Sequence, residues 1–200
     1  MRKFAAHVGF RVLTPAVLYK SVGIFDQRRN MKTELKYGIM TIVVGVLWVL
    51  GEHWAGLNTV KFEQGEIPRM LFAFMPFVFI IAGILAKKKA AGSISWLSAF
   101  GCGSVISLVY SLGLAAWFWL YATYINTEFL PKAVAWENAK LVKKGITGQA
   151  LSDAMNHNTT MFSGTAFSYL MLFVSFFGMG VVASAITALV VRSKKAAARQ

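Results

Sequence analysis

The chain is predicted to be an all-α integral membrane protein: four transmembrane helices, with a short helical outer loop between spans three and four. Three observations predict this. Four long stretches, residues 37–51, 70–86, 90–127 and 154–191, hold no Asp, Glu, Lys or Arg. The composition is 56% hydrophobic with a mean hydropathy of +0.56. The basic residues are concentrated in alternate segments around the apolar runs, as the loops on one side of a membrane require. Two hundred residues of this kind suit one membrane domain, and no extramembrane segment is long enough to fold alone.

A hydrocarbon core of about 30 Å needs about 20 helical residues. The first uncharged run has only fifteen residues, about 22 Å of helix, so terminal charges must sit at the interface. The spans are placed at residues 36–55, 68–86, 94–124 and 162–191. Eight Lys and Arg precede or open the first span, two lie between the first and second, and three, Lys87, Lys88 and Lys89, form the turn after the second. Four follow the third span and four close the chain. Fifteen of the twenty-one therefore lie on one side. This imbalance predicts that both termini are cytoplasmic, and an even number of spans agrees.

The third run is longer than a membrane is thick, so its helix must tilt or protrude. Trp117, Trp119, Tyr121 and Tyr124 near its outer end suit an aromatic belt, as does Trp54 on the first span. In the outer loop, Thr147 is a candidate N-cap for a short helix ending near His157. Ala150, Leu151, Ala154 and Met155 form its apolar stripe. A second helix is predicted over residues 131–144, stopped by Gly145.

Three regions are expected: a basic N-terminal segment (1–30) that packs poorly, a four-span domain (31–195), and a basic cytoplasmic tail (196–200). Pro15 interrupts the apolar patches of the first segment, and no small-residue cleavage site closes an apolar core there. Two readings stand for it: a basic amphipathic surface segment, or a translated upstream stretch that does not pack.

The second half carries a resemblance. Lys87 to Lys89 are followed by Gly92, Ile94, Ser95, Ala99 and Phe100; an acidic-polar loop ends in Gly145-Ile146-Thr147; a short helix holds Met155; and the last span is rich in Gly and Ala. This layout resembles the bacterial four-span inner-membrane proteins of domain-of-unknown-function family 4199, over about residues 31–195. The resemblance implies the architecture and the inner membrane. It implies no activity and no functional residues.

The net charge of +13 is read as lysines and arginines flanking spans and attracting anionic headgroups. No nucleic-acid-binding signature accompanies it. Cys102 is the sole cysteine and His7, His53 and His157 lie in different segments, so no metal set is expected. Gly101-Cys102-Gly103 lacks the third glycine and preceding strand of a dinucleotide site. No cofactor is expected. Glu52, within a turn of the outer edge, is the candidate functional acid: a coupling group in a transporter, or an interfacial acid reaching water or paired with Arg69 or Lys61. Ala99, Gly103, Ser107, Ser111 and Ala115 on the third span recur every four residues, as do Gly180, Ser184 and Ala188 on the fourth. They are predicted to be helix-packing stripes, within one chain or between copies.

The expected function is that of a non-enzymatic structural or accessory subunit, or a bundle that binds lipid between its helices. Its partners would be membrane lipids, a second copy, or another membrane protein. The alternative is a small homodimeric transporter or flippase using Glu52. An enzyme would need polar residues converging at the outer face, for example around Asp153 and His157.

Overall fold

The computed structural model describes residues 15–193, with side chains from residue 32 onward. His7, all six basic residues of the N-terminal segment and the 196–200 tail lie outside the described side chains. The chain divides into two units, Met1–Lys32 and Thr33–Gln200. The described part of the first is helical from Pro15. The second is an all-α membrane domain.

Six helices follow in order: α1 (Pro15–Trp54), α2 (Glu66–Ala91), α3 (Trp96–Leu120), α4 (Phe129–Lys143), α5 (Gly148–Met161) and α6 (Ala166–Val191). The membrane-length stretches are Lys32–Trp54, Glu63–Ala91, Trp96–Ile125 and Ala166–Val191. No strand occurs among the described residues.

The second span is longer than its uncharged core. Lys87, Lys88 and Lys89 continue α2 rather than forming a turn. The helix ends at Gly92, whose φ of +72° only glycine adopts cheaply. Ser95 then caps α3, its hydroxyl accepting from the Ser98 amide at 3.3 Å. Pro76 sits inside α2 and is buried. Its ring removes one intrahelical N–H donor from α2.

α3 is the central helix, and it packs extensively on α6. Ala99, Gly103, Ser107, Ser111 and Ala115 are all buried on α3, and Gly180, Ser184 and Ala188 on α6. Gly103 lies against the Ser184 side chain, and Gly180 against Ser107 and the Tyr110 hydroxyl. The serines do not bond across the contact. Ser107 Oγ donates to the Gly103 carbonyl at 2.8 Å and Ser184 Oγ to Gly180 at 2.6 Å, each within its own helix. The bond that crosses is Tyr110 Oη to the Phe176 carbonyl, 2.7 Å. On the opposite side of α3, Gly38 of α1 lies against Val109, and Gly113 against Ile42. Leu114, which the polarity pattern leaves free to face lipid, is fully buried and packs on Gly45.

The outer end of α3 does not stay a plain α-helix. It widens into a π turn over Tyr121–Ile125 and stops, with the Asn126 amide donating to the Tyr121 carbonyl at 2.8 Å. Tyr121 lies two turns beyond the buried Leu114 on the same face of α3, and it is fully buried. Trp119 and Tyr124 stay exposed, edge to face at 5.9 Å, as belt residues. Tyr121 is therefore a core residue.

α4 and α5 pack on each other beyond the spans. Gly145, with φ +76°, ends α4 as the sequence predicts. Thr147 precedes α5 with extended backbone, but its hydroxyl makes no capping bond. α5 runs to Met161, a turn past the expected end. Lys140 reaches Glu66 at 3.2 Å and Glu137 at 2.7 Å, tying α4 to the start of α2. Partial burial works against its charge, but the two carboxylates outweigh this and raise its pKa.

Candidate functional site: charge pairs at both ends of the α1–α2 hairpin

Glu34 and Glu52 are eighteen residues apart on α1, and so are Arg69 and Lys87 on α2. Eighteen residues make about five helical turns, so each set returns to one face after about 27 Å. That length is close to the roughly 30 Å hydrocarbon core. An antiparallel hairpin then brings an acid of α1 and a base of α2 together at each membrane border.

At the outer border the acid is surrounded by neutral donors. Trp48 Nε1 donates to Glu52 Oε1 at 2.8 Å and Asn58 Nδ2 to Oε2 at 3.1 Å. Trp48 stands one turn before Glu52, which is why the indole reaches it. Glu52 is 7% exposed, so it is a buried carboxylate and not an interfacial acid reaching water. Neither Arg69 nor Lys61 bonds it directly. Arg69 Nη1 donates to Asn58 Oδ1 at 3.3 Å, so the amide relays between the two charges. The rest of the guanidinium holds the α1–α2 connector. It donates to the Leu57 carbonyl at 3.0 Å and the Phe62 carbonyl at 2.6 Å, and lies 4.1 Å from the Phe62 ring centroid.

The π turn joins this network. Asn126 Nδ2 donates to the Asn58 carbonyl at 2.8 Å and to Tyr121 Oη at 3.1 Å. Tyr121 Oη is also 3.0 Å from His53 Nδ1. One cluster thus ties α1, the connector, α2 and the end of α3. Sequence reasoning singled out Glu52 and offered Arg69 as a partner, but missed Asn58, Asn126 and Tyr121 as its surroundings. The matched eighteen-residue spacing was the available signal for the charged members. The polar partners depend on the π turn, which leaves no such trace.

At the inner border Lys87 Nζ meets Glu34 Oε1 at 2.7 Å, with side-chain exposures of 13% and 5%. A first span placed at residues 36–55 leaves Glu34 outside, whereas α1 runs through it and buries it. Lys88 Nζ donates to the Val191 carbonyl at 2.8 Å and closes the end of α6. The Ser193 amide donates to the Ile94 carbonyl at 3.0 Å, pinning the loop beneath.

Two apolar recesses face the membrane. One, of 430 Å³, lies between α2 and α6 along Phe77, Ile81, Met179 and Ile186. The other, of 290 Å³, lies where α3, α4 and α6 meet near the outer border. Phe118, Phe129, Leu130, Tyr169, Leu172 and Ser175 line it. Among the described residues no three His, Cys, Asp or Glu side chains converge as metal ligands. Asp153 and His157 are both exposed on α5, and Asp153 accepts from Gln149 at 2.9 Å.

No curated protein and no solved structure matches the chain. The family model described as "Protein of unknown function (DUF4199)" matches residues 36–193, and the chain belongs to that family.

Proposed function

We propose that this protein is a non-catalytic helical bundle of the bacterial inner membrane that holds a lipid acyl chain near its outer border and serves as an accessory subunit. Both termini would be cytoplasmic, following the positive-inside imbalance of the sequence. The observation that carries the reading is the recess between α3, α4 and α6. It is lined by aromatic and aliphatic side chains, has a volume of 290 Å³, and is covered on one side by a helix outside the spans. Apolar sites of about 300 Å³ and upward are the usual setting for such ligands.

The transporter reading has less support. A coupling acid must exchange a proton or contact a substrate, and both oxygens of Glu52 are taken by internal donors. The surrounding network suits a joint between helices.

The experiment is lipid retention through purification. Ser175 is exposed and lines the recess, so Ser175→Trp fills it from the membrane side. Leu170→Trp, at an exposed position outside the recess, is the control. Mass spectrometry of extracted lipid should show parent and Leu170→Trp retaining more lipid per chain than Ser175→Trp. Equal retention in all three would overturn the reading. Co-purified membrane proteins in the same preparation, or a second copy, test the accessory role.

A further inference from the structure

The groove between α2 and α6 is closed at one end and charged at the other. Toward the middle of the bilayer the two helices meet through Phe72 and Phe176, edge to face with ring centroids 6.4 Å apart. From there the groove opens, with a volume of 430 Å³, along Phe77 and Ile81 of α2 and Met179, Val182 and Ile186 of α6. Lys88 follows Ile81 by seven residues and Phe77 by eleven, which returns it to their face of α2. Eleven residues make about 16 Å of helix, and half of a hydrocarbon core of about 30 Å is about 15 Å. The groove and its mouth therefore span one leaflet.

The mouth is cationic. Lys88 Nζ reaches across to the Val191 carbonyl at 2.8 Å, which takes one of its three donors. Lys89 is exposed beside it, and Arg192 is exposed just past the end of α6. Among the described residues the one acid at this border is Glu34, and Lys87 holds it. No carboxylate of the described residues lies within ion-pair distance of Lys88, Lys89 or Arg192. We propose that this groove seats an acyl chain of an anionic glycerophospholipid, whose phosphate is held at the mouth by Lys88 with Lys89 and Arg192 beside it. An apolar slot one leaflet deep matches the tail, and cations that no described acid neutralises match the head. A second copy of the chain would also cover the apolar walls. In the same orientation, however, it would bring its own Lys88, Lys89 and Arg192 to this mouth, and like charges repel. The site is separate from the recess between α3, α4 and α6, and does not rest on it.

The full chain in detergent is titrated with phosphatidylglycerol, or with phosphatidylcholine of the same acyl chains, and bound lipid is counted by native mass spectrometry. The parent should bind phosphatidylglycerol about tenfold more tightly than phosphatidylcholine. Lys88→Gln should weaken phosphatidylglycerol about fivefold, the usual worth of one basic residue at an anionic surface, and leave phosphatidylcholine unchanged. Val182 is exposed and lines the groove, so Val182→Trp fills it from the membrane side and should weaken phosphatidylglycerol at least as much. Leu85→Trp, at an exposed position of α2 outside the groove, should bind like the parent. Ser175→Trp, which fills the other recess, should keep the headgroup preference, so the two sites are read apart. Equal binding of the two lipids by the parent overturns the proposal, as does a parent-like preference in both Lys88→Gln and Val182→Trp. If Lys88→Gln does not fold, the double variant Lys89→Gln with Arg192→Gln takes its place, with the same loss expected and a parent-like preference again overturning the proposal. A dimer that Val182→Trp dissolves, with no headgroup preference in the parent, would put a second copy in the groove and overturn it too.

Discussion

A carboxyl group at a membrane border has its oxygens satisfied in one of two ways: it reaches water, or the protein supplies donors. Glu52 takes the second, through Trp48 and Asn58. In Glu52→Gln the new amide nitrogen must face one of these donors, so one bond is lost and a buried polar group is left unpaired. The expected cost is about 1–3 kcal/mol, against the roughly 0–1 kcal/mol of an exposed ion pair. Thermal or denaturant unfolding in detergent measures it. Trp48→Phe should lose part of the same stability, and the double variant should cost less than the sum of the two. Arg69 tests geometry rather than charge. It serves two carbonyls and an amide from one planar fork, which a lysine cannot reproduce. Arg69→Lys should therefore destabilise nearly as much as Arg69→Met. Full stability of the lysine variant would remove the fork from the account.

At the scale of elements, the α3–α6 contact depends on side chains that are missing. A Cβ on Gly180 would collide with Ser107 and the Tyr110 hydroxyl. Gly180→Ala should cost about 1–3 kcal/mol by overpacking, and Ser107→Leu at least as much. Gly178 is two residues away and opens on empty space. Gly178→Ala should be neutral or slightly stabilising, because alanine is the better helix former. Unfolding of the three variants side by side decides the matter: equal stability of Gly180→Ala and Gly178→Ala would mean that α6 does not seat on α3 at this point. The outer helices are held differently. Lys140 with Glu66, and Lys143 with Glu63 at 3.5 Å, are partly or largely exposed, so raised salt should loosen α4 while leaving the spans intact. Amide hydrogen exchange that rises in α4 alone with salt is the expected result.

For the whole molecule the open question is direction. The excess of basic residues predicts the α2–α3 loop in the cytoplasm and α4 and α5 outside. Single cysteines at Gly92 and Gly145, in a Cys102→Ser background, can be probed in intact cells with a membrane-impermeant thiol reagent. Both glycines stand at chain reversals with open space around them, so their labelling reports sidedness. Gly145 should label and Gly92 should not; the reverse pattern inverts the molecule. The unit from Thr33 onward has its own contacts. A chain starting at Met31 should insert and melt close to the full protein, and a large loss of folded material would show that the basic segment is needed.

Membrane residence, the four spans and the helical loop were legible in the chain because apolar length and charge placement are local, additive signals. Gly145 as a helix stop was legible for the same reason. The packing stripes could be listed from their four-residue spacing, but which helix each one meets was not in that spacing. Glu52 could be singled out; its burial could not. An acid near a span end looks the same in sequence whether it faces water or an indole. Glu34 drew no notice for a related reason: the uncharged run begins after it, while the helix that buries it begins before. Tyr121 looked like a belt residue because it stands in an aromatic run, but it shares the helix face of the buried Leu114. What the sequence by itself determined is the number, length and order of the helices, since each follows from backbone satisfaction in a medium without water. What only the tertiary structure decided is which polar side chains that medium touches, because burial belongs to pairs of helices and depends on a rotation of a few tens of degrees that no single segment encodes.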